Sequence, residues 1–233
     1  MKNKHYQFKD LFNVRDIGGY ITSSGQIVRE HKIIRGTGMG TLTREEFQQL
    51  KDDGIHTIID LRNPDEVLKH GHPCLTYPGM VCYHVDIIGS FENMHAKNYS
   101  ELTELYIDIV NDSKDKIREL FKLISEHITN GLYINCTAGK DRTGITIAFI
   151  LKLCGVRDKE IIDNYAESYE NNLPRYKDVD HSGKMAVYFY SEPQYLVKLF
   201  AYIKSKYGSV KEYLLSVGVT QQEINHIVKT LVK

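Results

Sequence analysis

An apolar strand that runs through a short polar loop directly into an apolar helix constrains this chain more than any other feature. Leu132 to Asn135 reads as the strand, Cys136-Thr137-Ala138-Gly139-Lys140-Asp141-Arg142 as the loop, and Gly144 to Leu153 as a buried helix closed by Gly155. At such a junction the loop N–H groups and the helix N-terminus converge, which makes a site for a dianion. Gly139 lets the backbone come close to a ligand. Arg142 can hold two phosphate oxygens with its planar fork, and Lys140 adds a more flexible charge. Thr137, Ala138, Gly139, Lys140 and Thr143 are therefore the candidate substrate-binding residues.

The same field acts on the thiol. A free cysteine titrates near ~8.5, and a helix N-terminus with neighbouring cations brings it down to roughly 3.5–7.5. Cys136 is then largely thiolate at neutral pH and poised to attack phosphorus, with the Thr143 hydroxyl able to donate a hydrogen bond to it. A nucleotide-binding loop of the G-x-x-x-x-G-K-[ST] type fails on spacing: Asp141 follows Lys140, and Ile134 stands where the first glycine is required. A buried, inert strand-end cysteine is the plain alternative. It leaves the cluster of Gly139, Lys140, Asp141 and Arg142 unexplained.

The 233 residues are enough for one sizeable α/β domain. Lys+Arg and Asp+Glu number 30 each, so the chain lacks the basic excess of a nucleic-acid binder. The four cysteines, Cys74, Cys82, Cys136 and Cys154, show neither C-x-x-C spacing nor the density of a disulfide scaffold, which disfavours a thiolate metal site and fits a reducing compartment. No apolar run approaches the ~18 residues of a membrane span. Met1 to Tyr6 has no apolar signal region, so a cytoplasmic location is expected, with secretion open if a signal peptide has been removed.

Along the chain, Ile27-Val28 and Ile33-Ile34 are short strand candidates, and Thr43-Arg44-Glu45-Glu46 is a capping box that opens a helix ending near Gly54. His56 to Leu61 reads as a buried strand, and Tyr83 to Ile87 as another. Pro64, Pro73 and Pro78 break the pattern between 63 and 100. Ile117, Leu120, Phe121, Ile124 and Ile128 fall at helical spacing. Asp158 to Tyr169, Pro193 to Tyr207 and Ser209 to Ser216 read as helices, and Thr220 to Glu223 as a second capping box. The polar stretch 171–192 reads as a flap, with 165–195 as its outer bounds. Interleaved strands and helices make an α/β layered fold.

The loop Asn135-Cys136-Thr137-Ala138-Gly139-Lys140-Asp141-Arg142-Thr143-Gly144 resembles the C-x5-R protein tyrosine phosphatase superfamily. More closely, it resembles the bacterial and fungal tyrosine/dual-specificity phosphatases with H-C-x-x-G-K-D-R-[TA]-G. Asn13 to Gly19 is similar to their N-F-R-D-L-G-G segment, and Gly54 to Glu66 to G-I-x-T-V-I-D-L-R-x-x-x-E. Tyr207 to Val210 and Gly218 to Thr220 are similar to their C-terminal helices. Asn135 departs from the usual histidine, as does Gly36-Thr37-Gly38 from R-S-[AG].

The resemblance implies one protein-tyrosine-phosphatase-like domain over residues 1–233, with a central, mostly parallel sheet flanked by helices and a helical C-terminal part. It implies hydrolysis of phosphotyrosine, and also of phosphoserine and phosphothreonine, through a phosphocysteine on Cys136. Arg142 would hold the phosphate and no metal or cofactor would be needed. Three carboxylates compete for the role of acid and base: Asp141 inside the loop, Asp60 at a strand end, and Asp86. For Asp60 the competing role is a structural pair with Arg62 or Arg15. Arg15 and Asp16 are expected to brace the site. Alternatives are a phosphoinositide or inositol phosphate substrate, sulfur transfer in a rhodanese-like loop, and a catalytically weak phospho-residue binding module.

Overall fold

The strand that carries the loop is the middle of the sheet. In the computed structural model, which describes residues 5–39, 42–71, 79–88, 99–177, 179 and 183–233, the strands are β1 (Arg15–Asp16), β2 (Ile33–Thr37), β3 (Thr57–Asp60), β4 (Val81–His84) and β5 (Leu132–Cys136). Their order is β1-β2-β5-β3-β4. β2, β3, β4 and β5 run parallel and β1 is antiparallel at one edge. The register places Thr37 beside Cys136 and Asp60 beside Asn135. Asp60, Thr37 and Cys136 thus meet at the carboxyl ends of neighbouring parallel strands, where α/β folds build sites.

Strand alternation explains how the sheet is buried on both faces. Along β5, Tyr133 packs with Ile34, Ile58, Phe47 and Leu50 on one face, while Leu132, Ile134 and Cys136 face the larger core on the other. The smaller face is covered by α1 (Arg44–Asp52) and by the N-terminal segment through Tyr6, Phe8, Leu11 and Val14. The larger face carries α3 (Leu102–Asp112), α4 (Lys114–His127), α5 (Asp141–Leu153), α6 (Asp158–Ala166), α8 (Pro193–Tyr207), α9 (Val210–Ser216) and α10 (Gln221–Leu231). The short helices α2 (Pro64–His70) and α7 (Ser168–Tyr176) flank the loop region. The fold is mixed α/β with a mostly parallel central sheet and a helical C-terminal part, as the sequence suggests.

Several elements differ from the sequence-based expectation. Ile27-Val28 forms isolated bridges, to Ile21 and Val232, and no strand. β4 ends at His84, so the strand expected at Tyr83 to Ile87 lies earlier. The helix expected from Gly144 begins at Asp141, which moves Asp141 and Arg142 into its first turn. Asp158 to Tyr169 is two helices separated at Glu167, and part of the expected flap is the ordered helix α7, followed by a 3-10 helix at Gly183–Tyr188. Pro64 starts α2: Asn63 caps the helix and Glu66 closes a capping box. α3, absent from the sequence reading, buries Leu102, Leu105, Tyr106, Ile109 and Val110. Cys136 and Cys154 are free thiols, but Cys82 is disulfide-bonded, which the cysteine spacing does not suggest. Among the described residues no helix is long and apolar enough to cross a membrane.

Helix α5 is buried from Arg142 to Leu151, so its position fixes the loop. Phe149 lies fully inside it, edge-on to Tyr213 of α9 at 5.8 Å between ring centroids. Phe149→Ala is expected to destabilise the protein by about 3–5 kcal/mol, measured by urea unfolding; a change below about 1 kcal/mol would show that α5 does not organise the core.

Candidate active site

The loop between β5 and α5 is shaped from behind, through its carbonyls. The Thr137 carbonyl accepts from Arg175. The Ala138 carbonyl accepts from the side-chain amides of Asn13 (3.1 Å) and Asn172 (3.1 Å). The Gly139 carbonyl accepts from Asn13 (3.0 Å) and from Arg35 Nη2 (2.7 Å). In a trans peptide the N–H points opposite to the C=O of the same plane. Holding these carbonyls outward therefore turns the N–H groups of Ala138, Gly139 and Lys140 toward the inside of the loop, which is the arrangement that grips an oxyanion. Gly139 has φ +60°, and a Cβ there would lie 2.3 Å from the Gly36 carbonyl oxygen on β2. Only glycine fits that close approach.

Two buried arginines stand behind the loop. Arg35 donates to Asn164 Oδ1 (2.7 Å) and Ser168 Oγ (3.3 Å) besides Gly139. Arg15 donates to Asn13, to the Asn164 carbonyl (2.6 Å) and to Ser168 Oγ (3.1 Å). Both are fully buried and held chiefly by neutral oxygens. Burial pulls Arg15 down to about 10, against the raising influence of Glu167. Burial and the like charge of Arg15 pull Arg35 well below its ordinary value, while Cys136 acts to raise it. Asp16, expected with Arg15 to brace the site, accepts from the N–H groups of Gly18 (2.8 Å) and His31 (2.6 Å) and so holds the turn after β1.

Cys136 ends β5, 2% exposed, with a free thiol. Thr143 is fully buried, and its hydroxyl has no hydrogen-bond partner among the described residues. Arg142, in the first turn of α5, makes a two-pronged pair with Glu66 of α2: Nη1–Oε2 2.6 Å and Nη2–Oε1 2.7 Å. Thr137 Oγ1 also donates to Glu66. Burial would raise the Glu66 carboxyl, but Arg142, Thr137 and the Asn63 N–H together bring it down to about 2. Burial likewise disfavours the Arg142 charge, and the Glu66 hydrogen bonds with the nearby Cys136 and Asp141 charges outweigh it and raise its value.

The three candidate acids occupy different places. Asp141 is the first residue of α5; its Oδ1 accepts from Lys140 Nζ (2.7 Å) and from the Tyr106 hydroxyl (2.5 Å). Lys140 is fully buried and also donates to the Tyr190 carbonyl (2.8 Å), so the segment after Gly183 is tied to the loop. Asp60 is buried in a pair with Arg62, whose Nη2 donates to Oδ2 at 2.6 Å, and it also accepts from Asn135 Nδ2 at 2.9 Å. Asn135 thus connects the base of the loop to the Asp60–Arg62 pair. Asp86 accepts from the Ile88 N–H at 3.0 Å in its own turn, and its charge acts on Lys116. Among the described residues no group of three or more His, Cys, Asp or Glu is arranged to hold a metal ion.

Residues 6–233 match the tyrosine phosphatase family over nearly the whole chain. The chain belongs to the tyrosine phosphatase family. It is 29% identical over 212 residues to a tyrosine-protein phosphatase of Nostoc commune, covering 83% of this chain and 72% of that one. It is 25% identical over 176 residues to a putative tyrosine-protein phosphatase of Cupriavidus necator, covering 71% and 63%, so the chain spans somewhat under two thirds of that second relative. Among solved structures, the core catalytic domain of the PP-IP phosphatase SIW14 from S. cerevisiae, in complex with citrate, aligns over 91% of this chain and 98% of that one, with 18% identity and a TM-score of 0.40. Family membership makes this phosphatase an enzyme that hydrolyses phosphate esters.

Sequence reasoning missed most of the loop's support. Asn13, Arg35, Asn164, Ser168, Asn172 and Arg175 come from four separate segments. One signal was available: Ser168, Asn172 and Arg175 are spaced four and three apart, and so share one helix face. Glu66 was visible as the third residue of a capping box, but its grip on Arg142 depends on how α2 packs.

Glu66 gives the phosphatase a pH signature. Its folded-state value lies below the ordinary 4.5, so the stabilisation is present above pH 4.5 and is lost as pH falls toward 2. Wild type is expected to lose about 2 kcal/mol more than Glu66→Gln across that window once solvent screening is allowed for. Parallel stability curves, measured by urea unfolding at each pH, would contradict the pairing.

Proposed function

We propose that this phosphatase hydrolyses phosphotyrosine monoesters, and also phosphoserine and phosphothreonine, by covalent catalysis at Cys136. The observation that carries the reading is the loop whose carbonyls are held outward beside a free thiol and a paired arginine. In the first step the Cys136 sulfur attacks phosphorus, the ester P–O bond breaks, and Asp141 gives its proton to the leaving oxygen. Arg142 and the N–H groups of Ala138, Gly139 and Lys140 hold the equatorial oxygens. In the second step water attacks phosphorus, Asp141 takes a proton from that water, and the S–P bond breaks to restore the thiolate. Asp60, bound to Arg62 and Asn135, serves as a positioning residue. Phosphate, the second product, leaves from the same loop.

A phosphoinositide or inositol phosphate substrate is the second reading, favoured by the excess of buried cations around the loop: Arg15, Arg35 and Lys140. Against it, Lys140 is already engaged by Asp141 and Tyr190. Sulfur transfer and a catalytically weak binding module lack the support of an acid held inside the loop. The location proposed from the sequence is cytoplasmic.

Cys136→Ser is expected to reduce turnover below detection while inorganic phosphate still binds, read by product release and by calorimetry. Hydrolysis by this variant at the wild-type rate would remove Cys136 as nucleophile. A panel of phosphotyrosine peptide, phosphoserine peptide and phosphoinositide is expected to give the highest kcat/KM on phosphotyrosine; a clear preference for phosphoinositide would favour the second reading.

A further inference from the structure

Asp141 is held by one of its two oxygens. Oδ1 takes both the Lys140 ammonium and the Tyr106 hydroxyl, whereas Oδ2 accepts no hydrogen bond among the described residues. The side chain is one fifth exposed. Tyr106 comes from α3, far from the loop in sequence, and is fully buried. Its hydroxyl oxygen is 2.6 Å from that of Tyr165 on α6, and the two rings meet edge-on at 90°. Each tyrosine has one hydroxyl proton. Tyr106 commits its own to Asp141, so Tyr165 donates to Tyr106 and strengthens it as a donor.

We propose that Tyr106, backed by Tyr165, is a positioning residue for Asp141: it fixes Oδ1 so that Oδ2 alone carries the proton to the leaving oxygen. The inference rests on the reading of Asp141 as acid and base. Burial first, and then the Asp141 charge, hold the Tyr106 hydroxyl well above its ordinary value, so it stays protonated and remains a donor throughout turnover. Tyr165 is held high in the same way. Other groups feel the Asp141 charge: Arg142 in α5, Tyr176 in α7, Tyr188 in the 3-10 helix and Tyr195 in α8. The Tyr106 hydroxyl bonds the carboxylate directly.

The two oxygens have separate work. An acid that protonates a leaving oxygen needs one oxygen presented in a fixed direction. A carboxylate held at a single oxygen by two donors, Lys140 beside it in the chain and Tyr106 from α3, is hindered from swinging about its Cβ–Cγ bond. Loss of one donor leaves Lys140 alone, on a flexible stem.

The test compares wild type, Tyr106→Phe, Tyr165→Phe and Asp141→Asn on p-nitrophenyl phosphate, whose leaving group needs little protonation, and on phenyl phosphate, whose leaving group needs more. Tyr106→Phe is expected to lower kcat on phenyl phosphate by about tenfold, with a smaller loss on p-nitrophenyl phosphate and KM unchanged. Tyr165→Phe should act in the same direction and less strongly. Equal losses on both esters, or a rise in KM that accounts for the loss, with Asp141→Asn still impaired, would overturn the positioning role and leave Asp141 as the acid. An Asp141→Asn variant as fast as wild type on phenyl phosphate would instead remove Asp141, and the role of Tyr106 with it.

Discussion

Everything in this phosphatase's site depends on hydrogen bonds that arrive at the loop from its outer side. Asn13, Arg35, Asn172 and Arg175 hold three consecutive carbonyls, from Thr137 to Gly139. A loop of this length left to itself would satisfy its carbonyls with water and sample many conformations, at a cost of about 1–2 kcal/mol of backbone entropy for each residue later ordered. Here that ordering belongs to folding, and the N–H groups already point inward when substrate arrives. Such preorganisation is what distinguishes an oxyanion site from a collection of donors. The sheet makes it possible: β2 supplies both Arg35 and the Gly36 carbonyl against which Gly139 packs.

The electrostatic arrangement follows the same logic. Burying Arg15 and Arg35 with mostly neutral partners disfavours their charged forms, and burial lowers both values. The fold tolerates it because each guanidinium has several oxygen acceptors from Asn13, Asn164, Ser168 and Gly139. Their charge, offset in part by Glu167 at 3.6 Å from Arg15, acts on whatever anion lies at the front of the loop, whether thiolate or phosphate. Arg142, which must touch substrate, is treated differently. It is paired with Glu66, which aims the fork and keeps it charged. Cations behind the loop thus supply field, and the cation in front supplies geometry.

The parts legible in the sequence were those governed by local pattern. The strand–loop–helix, the two capping boxes at Thr43 and Thr220 and the amphipathic α4 all follow from spacing along one segment. The Cys136–Arg142 loop could be read because its residues are contiguous. What the sequence concealed was assembled across the fold. Asn13, Arg35 and Asn172 act on the same two carbonyls yet come from the N-terminal segment, β2 and α7. α3 was missed although Leu102, Leu105, Tyr106 and Ile109 are at helical spacing, because its first turn has no side-chain cap. Pro64 was read as a breaker although it begins α2, since proline fits the first turn of a helix. Asn135 shows a substitution whose consequence is visible only in three dimensions: its amide reaches Asp60 on the neighbouring strand and ties the loop base to a buried ion pair.

The central claim, that the outward-held loop presents Cys136 as the group that takes the phosphoryl, is tested most directly by trapping the intermediate. Wild-type enzyme is mixed with an aryl phosphate and quenched in acid within a single turnover, and the peptides are mapped by mass spectrometry. The account predicts a phosphoryl adduct on the Cys136 sulfur, formed no more slowly than the overall turnover. A phosphoryl group on another side chain, or full turnover with no covalent adduct at any time, would contradict it.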